Sequence, residues 1–165
     1  DFRASERLAQ LFMQVSGRSG RGDKPGTVLV QTHNPEHTLF QQLISNGYAR
    51  YAQTLLQERQ QAWLPPYTYM VLLNAEAHNA DDCRHFLNKA ADELKRISGM
   101  SLSVFGPLPA LFEKRSGRYR WQLIVQAEDR KKLHNHIDEW LVQLEAMKLS
   151  KKIRWSLDVD PMDMA

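Results

Sequence analysis

The sequence predicts an α/β segment followed by an α+β domain, and three observations carry that reading. A helix-like stretch at the start leads through a Gly/Arg loop to a compact apolar run, Thr27-Val-Leu-Val-Gln-Thr32. Leu64-Pro65-Pro66 interrupts a helical pattern, because proline lacks an N–H and disfavours helix in the residue before it. Beyond it, two helical periods are interleaved with four strand-like runs in the order β-α-β-β-α-β.

The first part holds three elements. Ser5 to Val15 places Leu8, Leu11, Phe12 and Val15 on one stripe, as an amphipathic helix requires. Thr27 to Thr32 reads as a strand buried on both faces of a parallel sheet. Residues 35–63 read as two helices split at Asn46-Gly47, one burying Leu39, Phe40, Leu43 and Ile44, the other Tyr48, Tyr51, Leu55 and Leu56. The expected division is residues 1–35 as the end of an α/β lobe, 36–66 as a helical linker, and 67–165 as a separate C-terminal domain.

Within that domain Tyr69 to Ala77 is the first strand. Asn79 is the expected N-cap of the helix behind it, Asp82 adds negative charge to the first turn, and Gly99 ends the helix. Its buried stripe is Cys83, Phe86, Leu87, Ala90, Ala91, Leu94 and Ile97. Ser101 to Phe105 is a second strand, followed by a long connection containing Gly106, Pro107 and Pro109. Arg118 to Gln126 is a third strand, with Tyr119, Trp121, Leu123 and Val125 on one face. Asp129 to Leu149 is a second helix, and Lys152 to Asp160 a fourth strand with Ile153, Trp155, Leu157 and Val159 inward. This is the element order of the ferredoxin-like split βαβ fold, in which helices cover one sheet face and leave the other open.

Composition narrows the functional classes. The 165 residues suffice for one domain or a small domain plus part of another. No apolar run reaches the ~20 residues of a membrane-spanning helix, and no signal-peptide pattern opens the chain. A single cysteine, Cys83, excludes an internal disulfide and a cysteine-based zinc cluster. The expected compartment is the reducing cytoplasm. Net charge is only +3, so clustering of basic residues says more than their total. His33, His37, His78, His85 and His136 show no metal-ligand spacing, and Trp63, Trp121, Trp140 and Trp155 read as core.

One loop carries chemistry. Gln14-Val-Ser-Gly17-Arg18-Ser-Gly-Arg21 has the form Q-x-x-G-R-x-G-R, which resembles the sixth motif of superfamily 2 helicases. Planar guanidinium groups neutralise the charge that spreads over γ-phosphate oxygens in phosphoryl transfer, and glycines let backbone turn tightly beside a nucleotide. Gln14, Arg18 and Arg21 are thus candidate catalytic residues, and Gly17, Arg18 and Arg21 candidate nucleotide-binding ones.

Further residues extend the resemblance over essentially the whole chain. Asp1-Phe2-Arg3-Ala4, Pro25-Gly26, Val28-Leu29-Val30-Gln31-Thr32, Asn34-Pro35-Glu36-His37, Glu58-Arg59, Pro65-Pro66-Tyr67, Gly106-Pro107, Arg118-Tyr119-Arg120-Trp121-Gln122 and Asp158-Val159-Asp160-Pro161 resemble the primosomal replication-restart helicase family. Leu64 departs from it where Tyr is common, and Ser16 and Ser19 where Ala is frequent; Arg18 and Arg21 are kept. The resemblance implies a 3′-to-5′ ATP-dependent DNA helicase that restarts replication at abandoned forks. It implies a RecA-like lobe end before the linker, and a C-terminal domain similar to a small-subunit ribosomal protein. It implies ATP and Mg²⁺ as cofactors, zinc in a cysteine-rich segment not present here, other primosome proteins as partners, and association with the nucleoid. No Gly-x-x-x-x-Gly-Lys-Ser/Thr loop and no Asp-Glu magnesium motif occur in these residues, so the chain alone is expected to be inactive in ATP hydrolysis.

Two basic surfaces complete the reading. Lys114, Arg115, Arg118 and Arg120 flank the turn into the third strand, and Lys152 and Arg154 begin the last one; on an open sheet face they suit phosphates of branched or single-stranded DNA. Arg130, Lys131 and Lys132 open the second helix, with His134 one turn from Arg130. The family resemblance implies that Arg130, Lys131 and His134 receive the acidic C-terminal tail of single-stranded-DNA-binding protein. The rival reading is a stand-alone nucleic-acid-binding module without ATPase, which would not need Gln14 to Arg21. In a protein carrying the complete motor, Arg21→Ala is expected to lower ATP turnover by on the order of 10³-fold or more while DNA affinity holds. Near-normal turnover, measured by phosphate release with DNA present, would sink the finger assignment.

Overall fold

The computed structural model describes residues 2–19, 26–148, 152–162 and 164, and the chain divides into two compact units, Asp1–Trp63 and Leu64–Ala165. In the first unit α1 (Ala4–Ser16) packs on α2 (Thr38–Gln61). Gly47, at φ 75° and ψ 174°, breaks α2 into two helical pieces where Asn46-Gly47 predicts a split. Ala9, Leu43, Tyr51 and Leu55 form a small core, with Phe12 set edge-on to Phe40 at 6.2 Å. Two polar ties add to it. The Tyr51 hydroxyl donates to the Ser5 carbonyl at 2.8 Å, and Arg59 pairs with Glu6 at 2.7 Å while stacking on Phe2. The segments read as a lobe end and a linker therefore share one core.

Several expectations fail here, among them Ile44, Leu56 and Trp63, expected in the core but 52%, 39% and 58% exposed. Gly26 to Thr32 forms no strand, and Leu29 is 93% exposed. A strand needs at least one neighbour to share its ladder of hydrogen bonds, and the described residues of this unit contain no strand to pair with it. Leu8, Leu11 and Val15 are likewise about half exposed, so α1 buries Ala9 and part of Phe12 instead of the expected stripe.

The second unit follows the predicted order: β1 (Tyr69–Ala77), α3 (Ala80–Ser98), β2 (Ser103–Arg115), β3 (Arg118–Ala127), α4 (Arg130–Ala146) and β4 (Arg154–Val159). The four strands make an antiparallel sheet in the order β2-β3-β1-β4. Asn79 caps α3 by accepting from the Asp81 N–H at 3.0 Å, and Gly99 closes it at φ 60°. Asp129 caps α4 by accepting from the Lys132 N–H at 2.8 Å. The last helix stops at Ala146; Leu149, its expected end, lies outside the described residues.

Both helices cover one sheet face. Val71, Leu73 and Ala75 of β1 and Leu123 and Val125 of β3 meet Phe86, Leu87 and Leu94 of α3 and Leu133, Ile137 and Leu144 of α4. Trp140, fully buried, joins the helices by donating its indole N–H to the Ala90 carbonyl at 2.8 Å. Cys83 also sits in this core, its thiol 3.6 Å from the Ala75 carbonyl, and burial pushes its pKa up to about 11, so it is a packing residue and not a nucleophile.

The second strand is longer than expected. Gly106, Pro107 and Pro109 do not end it, because β2 is an edge strand whose outer side needs no N–H donors. It runs on to Arg115 through two register shifts. The far sheet face is also less open than expected. Met70 and Leu72 are 1% and 2% exposed, Pro161 is buried, and Gln122 donates to the Met164 carbonyl at 3.2 Å. No helix among the described residues is long and apolar enough to cross a membrane.

Trp140→Ala is expected to destabilise the second unit by about 3–5 kcal/mol, since it removes a large core side chain and its hydrogen bond. Urea denaturation followed by circular dichroism checks this, and a loss under about 1 kcal/mol would contradict the packing role.

Candidate nucleic-acid interface

Alternation along the strands sorts the basic side chains between faces. On β1 the residues Met70, Leu72, Asn74 and Glu76 face away from the helices, since Val71, Leu73 and Ala75 face them. Glu76 is opposite Arg120 on β3 and Arg154 on β4. The carboxylate bonds Arg120 Nε at 3.1 Å, with both side chains largely shielded. Around the turn Ser116–Gly117, Arg115 stands opposite Arg118.

These residues line one cleft of about 260 Å³ at the hairpin end of the sheet: Glu76, Arg115, Ser116, Arg118, Arg120 and Arg154. Four guanidinium groups surround one carboxylate. Like charges directly opposite on neighbouring strands repel, so an anion bound here would relieve the Arg115–Arg118 pair. Arg115, Arg118 and Arg154 have no carboxylate partner among the described residues. Such a cleft suits a phosphate group, which accepts planar two-pronged bonds from arginine.

The structure brings together four of the six residues expected to contact nucleic acid. Lys114 leaves the group: it is in register with Tyr119 and its ammonium sits over that ring at 4.8 Å, on the helix-covered face. Lys152 is exposed and does not line the cleft. Sequence reasoning missed Glu76, although the alternation of β1 already places it on the same face as Arg120. It also missed Arg84, whose guanidinium covers the partly buried Trp121 ring at 5.5 Å and pairs with Asp81.

The other expected sites are less assembled. Gln14 and Arg18 are exposed, and Gly17 closes α1 by donating to the Met13 carbonyl at 2.9 Å. Arg21 lies outside the described residues. Arg130 is 62% exposed, with Nε 3.4 Å from His134 Nε2 and a guanidinium nitrogen 3.9 Å from Asp160. Lys131 is exposed. No cluster of three metal-ligating side chains occurs among the described residues.

Comparison with known proteins adds sequence kinship to this geometry. Residues 60–162 match the family model for the primosomal protein N C-terminal domain. The whole chain is similar to the replication restart protein PriA of Haemophilus influenzae, at 44% identity over 167 residues, which cover 22% of that protein. It is similar to those of Synechocystis (30% identity, 99% of this chain, 19% of that protein) and Bacillus subtilis (29%, 99% and 20%). The chain therefore spans about a fifth of the length of these curated relatives.

Proposed function

This chain belongs to the primosomal protein N C-terminal domain family, and from that premise we propose that it is a DNA-engaging end of an ATP-dependent 3′-to-5′ helicase that restarts replication. The observation that carries the DNA reading is the cleft of Arg115, Arg118, Arg120 and Arg154 around Glu76. Its chemistry matches a phosphodiester. In this reading Gln14, Gly17, Arg18 and Arg21 act on ATP and Mg²⁺ bound to a motor whose phosphate loop these residues lack, the first unit closes a RecA-like lobe, and the second resembles a ribosomal small-subunit fold.

The division of labour follows from charge. Arg120 is held by Glu76, so it organises the cleft, while Arg115, Arg118 and Arg154 reach the phosphates. Replacing those three by Ala in the 165-residue chain is expected to weaken binding to single-stranded and forked DNA. It should lower the slope of log affinity against log salt by roughly two to three, at about 0.7–0.9 per lost phosphate contact. Fluorescence anisotropy over a salt series measures both quantities. An unchanged slope would overturn the cleft as the phosphate site.

Arg130, Lys131 and His134 are the proposed seat of the C-terminal tail of single-stranded-DNA-binding protein. Asp160 already stands 3.9 Å from Arg130, and the side chain is mostly exposed, so the contact is weak. Arg130→Ala is expected to reduce tail-peptide affinity by at most about 1 kcal/mol in the complete protein, and more than Lys131→Ala does. Titration of a labelled peptide that gives equal affinities for wild type and Arg130→Ala would place the tail elsewhere.

A further inference from the structure

The edge strand β2 carries a feature that phosphate binding does not use. Pro109 is opposite Trp121 and Lys114 opposite Tyr119, so Ala110 to Glu113 together face the single residue Arg120. The three surplus residues form a large bulge of the irregular kind, beyond the usual two-against-one count. Ala110 anchors it, at 6% exposure, while Leu111 and Phe112 are 68% and 62% exposed. Leu111 and Phe112 are thus two adjacent large apolar side chains on the stretch of β2 that faces Arg120, a residue of the arginine cleft, though they do not line the cleft itself.

The combination selects its occupant. An apolar protein surface would satisfy Leu111 and Phe112 but would bring nothing for Arg115, Arg118 and Arg154, which have no carboxylate partner among the described residues. A nucleic acid offers both at once: phosphates along the backbone, and base faces that are apolar and π-rich. In continuous duplex those faces are covered by stacking. They become available where strands part, at the first unpaired base of a fork or gap. We infer that the Leu111–Phe112 bulge takes the exposed base face at such a junction, while the neighbouring arginine cleft holds the adjoining phosphates. The inference rests on the DNA reading of the cleft and adds to it a source of preference for branched over continuous duplex DNA.

The test uses the 165-residue chain and two oligonucleotide probes of equal length and sequence at the binding end: a fork with 2-aminopurine at its first unpaired position, and a blunt duplex. Phe112→Ala is expected to weaken fork binding about tenfold and leave duplex binding within about twofold, the loss of one stacked base. The 2-aminopurine fluorescence change on binding should disappear, the salt slope should stay as in wild type, and Phe112→Trp should restore both affinity and signal. Leu111→Ala should give a smaller loss of the same kind. Because Leu111 and Phe112 are exposed, thermal melting should be unchanged, which separates contact from misfolding. Unchanged fork binding by Phe112→Ala, or an equal loss on fork and duplex, overturns the inference and leaves the bulge for a protein partner. The DNA reading fails separately, if replacing Arg115, Arg118 and Arg154 weakens neither probe.

Discussion

The second unit depends on a central strand buried on both sides. β1 is bonded to β3 along one edge and to β4 along the other, and Met70 to Leu73 are all 2% exposed or less. A strand so placed has no room for charge until its end. Glu76 sits at that end, one residue from the last, and its neighbours on both sides are arginines. Burying the middle of β1 therefore fixes where the polar cluster must be. Had the charge lain mid-strand, desolvation would have cost several kcal/mol per ion.

The hairpin extends this logic to the sheet edge. β2 lies outermost, with one side unbonded, so prolines and a bulge cost it little. A bulge with an odd number of surplus residues also reverses which face a following residue occupies, and the bulge before Lys114 holds three. Lys114 lands with Tyr119 and Arg115 with Arg118 for this reason. Gly106, at φ 115°, adds a close approach: a Cβ there would lie 2.9 Å from the Gln122 carbonyl oxygen, too near for any other residue without movement. The edge strand is thus shaped by backbone demands that its side chains alone do not announce.

Those demands set how much was legible in the sequence. The order of elements in the second unit, the Asn79 cap, the Gly99 stop and the helix stripes follow from local periodicity, and all appear in the structure. Arg118 and Arg120 lie on the face that the sequence predicts because β3 pairs with β1 without a register shift from Tyr119 to Ala127. Lys114 does not, because its face depends on register shifts set by pairing with another strand. Thr27 to Thr32 shows the same limit: its apolar content is local, but a strand exists only through partners. Glu76 was readable from parity alone and was overlooked beside the more numerous arginines.

The mixture of charges in the cleft bears on what kind of binding it supports. A patch of four bare arginines would attract any polyanion, and its hold would weaken smoothly with salt. Glu76 changes that. It fixes Arg120 in orientation through a shielded bond of 3.1 Å, which ions in solution screen poorly. It also lies on the same face as Arg154, so a phosphate entering the cleft must keep clear of the carboxylate while reaching Arg115, Arg118 and Arg154. That requirement lowers the attraction for an arbitrary anion and raises the dependence on approach direction. Paired guanidinium and carboxylate groups thus act less as a magnet than as a template, and a template is what a domain needs if it is to respond to the geometry of DNA and not merely to its charge.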